Sequence, residues 1–200
     1  MKKVLCLFIL SQLLFSCSVN KDPNAPINDY VSSLELKDSE KIMIIEEKIN
    51  NNVAIEIFKG KTFYYTGINK YIKVEGVMEP LYNYKDWEKM RSKYENKYIK
   101  EEWIKGDYWT LKDFKHQNII FIKREKFPNP GKYEKFDFQE NYQVFSFSDI
   151  LYYKHKKYAV FVIKTTTTDY KDIDTTSILI LTKIKGKWTV FGEVGDGIYR

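Results

Sequence analysis

Cysteine and histidine are nearly missing from this 200-residue chain, which has two of each. Both cysteines, Cys6 and Cys17, lie in the first seventeen residues, so nothing after them can close a disulfide or offer a thiol. His116 and His155 have no ligand-spaced partners, which leaves an imidazole–thiolate zinc site without ligands and excludes a Cys–His nucleophilic pair. Both read as solvated turn residues. The glycine patterns that cradle phosphates and the Gly-x-Ser-x-Gly turn of serine hydrolases are absent; Gly192, Gly195 and Gly197 follow the final strand with no helix behind them. Runs of one charge are missing as well. The longest lysine run is two and Lys alternates with Glu through residues 85–102, so a nucleic-acid partner is not expected. The longest apolar stretch, residues 4–15, is interrupted by Ser11 and Gln12. As a helix it covers about 18 Å, against about 30 Å of bilayer hydrocarbon, too short to span.

What is present begins with that stretch. Lys2 and Lys3 precede it and a small residue, Ser16, follows it, the arrangement of a signal-peptide leader. Leu14-Phe15-Ser16-Cys17 resembles the lipobox of bacterial lipoproteins, a resemblance confined to the first residues, with Phe15 bulkier than the usual occupant. The resemblance implies cleavage before Cys17, a diacylglycerol on its thiol and a fatty acyl chain, such as palmitate, on its amine. An ordinary secretory signal with a cysteine beside the cut is the alternative. Two or three acyl chains, at about 0.8 kcal/mol per buried CH₂, make attachment practically permanent. Ser18 at the next position implies transfer to the outer membrane by the sorting rule of well-studied lipoproteins.

Removal of residues 1–16 leaves 184 and lowers the formal net charge from +6 to +4. Residues 18–28 are polar, contain Pro23 and Pro26 and read as a flexible tether, so residues 17–28 are expected to be lipidated cysteine and linker and 29–200 one domain. Such a chain can bury a core without covalent staples. Aromatic residues make up 16% of it, enough to look for a ring-lined binding surface beside the core.

In residues 38–50, Ile42, Ile45 and Ile49 recur at helical spacing and predict an amphipathic helix ended by three asparagines. Residues 53–58 and 62–66 read as a hairpin around Gly60, and 71–77 as a further strand. A second helix is expected from Asp86 to about Lys97, with Trp87, Met90, Tyr94 and Tyr98 as its apolar stripe. Thr110 and Asp113 have capping-box spacing, 118–123 reads as a strand and 128–131 as a loop. The last third predicts four strands, 142–153, 158–167, 177–185 and 187–191, as successive antiparallel neighbours. Residues 159–163 and 178–181 are apolar throughout, which places them mid-sheet with both faces covered.

The expected fold class is therefore α+β: a curved antiparallel β-meander in the C-terminal third, with two amphipathic helices and an N-terminal hairpin packed on it. Trp103, Tyr108 and Trp109 are candidate ligand-stacking rings, beside Glu101, Glu102, Asp107 and Asp113 as acids that could hydrolyse a glycosidic bond if two stood about 5–10 Å apart. Asp169, Asp172 and Asp174 share a loop but lack the glycine and distal glutamate of a calcium loop, so no metal or other cofactor is assigned. The resulting expectation is an envelope lipoprotein bound to the membrane through Cys17, with a non-enzymatic domain that binds a protein or glycan. The alternatives are a glycan-acting enzyme using acids of residues 101–113 and an immunity or inhibitor lipoprotein.

Overall fold

The computed structural model describes residues 22–34, 36, 40–64, 81–127, 141–168 and 175–195. Cys17, the strand expected at 71–77, the loop at 128–131 and the aspartates 169, 172 and 174 lie outside the described residues. The chain is α+β, with helices on both faces of an open, mostly antiparallel sheet of seven strands.

Helix α1, Ala25–Ser32, starts where a tether was expected. Pro26 in its first turn has the φ a helix needs and no N–H to leave unpaired. Ile27 and Val31, one turn apart, are buried against the sheet, so residues 25–28 belong to the folded unit. The expected helix over 38–50 is instead two strands, β1, Ile42–Ile45, and β2, Glu47–Ile49. All four β1 residues are buried, which a strand covered on both faces achieves and a surface helix does not. The expected hairpin is corrected in turn. Residues 53–58 and 62–64 belong to helix α2, Asn51–Tyr64, which buries Ala54, Ile55 and Phe58. Asn50 therefore starts a helix, its Oδ1 accepting from the Asn52 N–H at 3.0 Å.

Helix α3, Tyr84–Tyr94, is capped by Asn83, which accepts from the Asp86 N–H at 3.2 Å. Trp87 and Met90 are buried as the stripe required, whereas Tyr98 lies beyond the helix and is 94% exposed. Strand β3, Trp103–Tyr108, pairs antiparallel with β2 in a small separate sheet. A 3₁₀ turn, Leu111–Asp113, follows it, with Asp113 Oδ2 accepting from the Thr110 N–H and hydroxyl.

The main sheet adds β4, Ile119–Ile122; β5, Gln143–Phe147; β6, Leu151–Tyr153; β7, Tyr158–Thr167; β8, Thr175–Ile184; and β9, Lys187–Gly195. Its order is β4-β1-β5-β7-β8-β9, with β6 continuing the line of β5 along the same edge of β7. The meander β6 to β9 is antiparallel throughout, as expected. The single strand expected over 142–153 is broken at Ser148, whose hydroxyl accepts the Val162 N–H at 2.9 Å in place of a ladder carbonyl. The parallel insertion of β1 between β4 and β5 has no local sequence signal.

Alternation along the central strands divides the core. Val160, Val162, Ile178 and Ile180 meet α2 and α3 through Phe58, Trp87 and Met90. Ala159, Phe161, Ile163, Leu179 and Leu181 meet α1, Trp109 and Phe114 on the opposite face. Each fully buried large apolar side chain contributes about 1.5–3 kcal/mol, so covering both faces is what makes a disulfide-free domain of this size stable. Among the described residues, no helix is long and apolar enough to cross a membrane.

Candidate functional site

The three candidate rings do not form one platform. Trp109 is 3% exposed; its indole N–H donates to the Phe147 carbonyl at 3.1 Å and its ring meets Phe114 edge-on at 5.5 Å. It is a core residue. Trp103 is half-buried, with the Arg124 guanidinium 4.9 Å and the Lys164 ammonium 5.6 Å from its centroid. Tyr108 is exposed at the end of β3.

The four acids of this region are similarly dispersed. Glu101 accepts from the Lys100 N–H, Glu102 pairs with the buried Lys164, and Asp113 closes the capping box and accepts from Asn24 Nδ2 at 3.2 Å. Asp107 pairs with Lys48 at 2.9 Å, and Asp149, from the break between β5 and β6, pairs with the same ammonium at 3.0 Å. Lys48 Nζ also stands 4.7 Å from the Trp109 ring centroid. Burial disfavours its charge, but the hydrogen bonds and negative charges of Asp107 and Asp149 outweigh that and hold its pKa above the ordinary lysine value. The ammonium fills the gap between the two carboxylates, where a glycosidic oxygen or attacking water would have to sit.

Beside this ion triad lies an open groove of about 390 Å³ lined by Asn50, Tyr94, Asn96, Tyr98, Asp107 and Asp149 among others. Asparagines build it. The Asn50 side chain donates to the carbonyls of Ile99 and Glu101 at 3.1 and 3.0 Å, and the Asn96 Oδ1 accepts from the backbone N–H groups of Tyr98 and Ile99. These bonds pin the loop after α3 against the start of α2 and leave the Tyr98 ring projecting into solvent. Sequence reasoning missed the groove because it took the Asn50-Asn51-Asn52 run as a helix end; the preference of asparagine for N-caps was the available signal. The arrangement offers carboxylate acceptors and an exposed ring, on a backbone held by the asparagine amides. Such a lining suits contact with a polar ligand.

His116 is half-buried and His155 is exposed at a turn. Among the described residues, no three His, Cys, Asp or Glu side chains stand together as a metal site. No protein-family model, curated protein or solved structure matches the chain.

Proposed function

We propose that this protein is a lipid-anchored envelope lipoprotein whose α+β domain is a non-enzymatic binding module. The observation that carries the reading is Leu14-Phe15-Ser16-Cys17 at the end of a charged-then-apolar leader. In this reading residues 1–16 are removed, Cys17 carries the acyl chains and the domain stays at the membrane, in the outer membrane by the identity of Ser18. The separation of the acids in residues 101–113, each held by a structural partner, favours binding over glycan hydrolysis. The groove at Tyr98 and Asn50 is the surface offered to a protein or glycan.

The anchor would lie close to the fold. Asp22 is bonded to Asn28 and ion-paired with Lys115, so five residue steps separate Cys17 from a fixed point. At 3.3–3.6 Å per step these reach at most about 18 Å, which holds the domain against the headgroups. Labelled palmitate supplied to expressing cells should appear in the wild-type protein and be lost in Cys17→Ala, and the mature wild-type N-terminus should be acylated in mass spectra. An unmodified Cys17 or a retained Met1 overturns the reading.

A further inference from the structure

The lysines of the C-terminal meander are scattered in sequence and gathered by the fold. The β6–β7 turn is Lys154-His155-Lys156-Lys157, and the β8–β9 turn is flanked by Lys183, Lys185 and Lys187. Tyr158 pairs with Thr182, and the Thr182 hydroxyl reaches the Lys157 carbonyl at 3.4 Å, so both turns project from the same end of the sheet on adjacent strand pairs. That end carries six lysines. No acidic residue occurs between Asp149 and Asp169 or between Asp174 and Glu193.

The side chains are presented outward. Lys156, Lys157, Lys183, Lys185 and Lys187 are exposed, and none has a carboxylate within ion-pairing distance among the described residues. Lys156, Lys157 and Lys183 lie 5.9, 5.5 and 5.0 Å from the ring centroids of Tyr152, Tyr158 and Trp188. Between Lys183 and Lys185, Ile184 is 54% exposed, an apolar tip inside the cationic cluster. Asp29 of α1 and Asp22 just before it have other partners: Asp29 accepts the Trp188 N–H and Asp22 pairs with Lys115. The turn backbone is left-handed at Lys154, His155, Lys156 and Lys185, with φ of 46, 53, 67 and 50°. Glycine or asparagine would adopt these angles at lower cost, so the turns keep cationic side chains at the expense of conformational ease.

The N-terminal end of the described chain lies near this end of the molecule. Asp29 of α1 accepts the Trp188 N–H at 2.8 Å, and Trp188 packs on Tyr152, which lies beneath Lys156. We propose that this end of the sheet docks on anionic phospholipid headgroups, with the lysines at the phosphate level and Ile184 entering the interface. Lysine ammoniums are hydrated point charges without the fork of arginine, suited to a diffuse anionic surface; an apolar tip adds what a soluble polyanion would not use. The proposal rests on the Cys17 anchor for its membrane setting, but the surface can be tested without it.

Full-length protein carrying Cys17→Ser should be mixed with phosphatidylcholine vesicles, with and without about 30% phosphatidylglycerol. The leader, with Lys2 and Lys3, is common to the parent and the patch variants, so the difference between them on anionic vesicles reads the patch. Binding to the anionic vesicles should exceed neutral binding by about tenfold or more, and the excess should collapse as salt rises from about 0.1 to 0.5 M and screening shortens. Lys156→Glu with Lys185→Glu should remove the excess, and Lys93→Glu with Lys105→Glu, an exposed pair away from the patch, should retain it, all with matching thermal melts. Ile184→Ser, which removes the apolar tip without changing charge, should weaken binding to anionic vesicles several-fold while leaving binding to soluble polyglutamate little changed. Equal binding to both vesicle types, an excess that survives the patch reversal, or polyglutamate binding as tight as that to vesicles would overturn the proposal. Because Cys17→Ser cannot be acylated, none of these outcomes depends on whether the anchor reading holds.

Discussion

Asn52 and Asn96 are joined by a reciprocal pair of hydrogen bonds. The Asn96 N–H donates to Asn52 Oδ1 at 2.8 Å, and Asn52 Nδ2 donates to the Asn96 carbonyl at 2.9 Å. One side chain at the start of α2 thus serves the backbone of a loop 44 residues away, at Asn96, which lines the groove. Asn52→Ala should destabilise the protein by about 1–3 kcal/mol, read from urea unfolding, because backbone groups of the loop lose their partners. A loss below about 0.5 kcal/mol would mean that water replaces the amide without cost.

Lys48 presents a sharper asymmetry. Its side chain is 16% exposed, whereas those of Asp107 and Asp149 are 45% and 42% exposed. Lys48→Met should therefore cost more than Asp107→Asn or Asp149→Asn, about 2–4 against about 1 kcal/mol, since it leaves two carboxylates facing each other. Denaturation of the three single variants checks the order.

Adjacent aromatic residues should behave oppositely. Trp109→Ala removes a core ring and its indole bond to Phe147, with an expected cost of about 3–5 kcal/mol; Tyr108→Ala removes an exposed ring and should cost under about 1 kcal/mol. Similar losses in the two melts would contradict the placement of Trp109.

The alkaline limb of stability should be steep. Burial, aided by the Glu193 charge, pushes the Tyr30 phenol up to about 12, and burial also raises Tyr82, Tyr152 and Tyr153. Lys48 is raised as well. All five bind protons more tightly folded than unfolded, so their contribution is complete below about pH 10 and is lost as pH climbs through the folded values. Thermal midpoints should change little from these groups between about pH 7 and 9 and fall between about pH 10 and 12, with tyrosinate absorbance appearing as the protein unfolds.

The legible parts of the fold were those decided by local chemistry. The apolar runs 159–163 and 178–181 permit only a doubly covered strand at that length, and the Trp87–Met90 stripe permits only one buried helix face. Residues 42–49 and 53–58 were read the wrong way round. Isoleucines at helical spacing also suit a short buried strand, and β-branched residues in 53–58 suit a helix once Ala54, Ile55 and Phe58 find a sheet to cover. Both groove and basic end escaped sequence reasoning because their members lie far apart along the chain.

By itself the sequence determined the α+β class, the C-terminal meander and, through its two early cysteines, a described domain without disulfides, because each follows from composition or from periodicity within a few residues. Only the tertiary structure decided that β1 lies parallel between β4 and β5, that α1 covers the second face, that Trp109 is core, and that six lysines from two turns share one end. Those outcomes depend on which distant surfaces meet, and burial of complementary faces across long sequence separations leaves no local pattern to read.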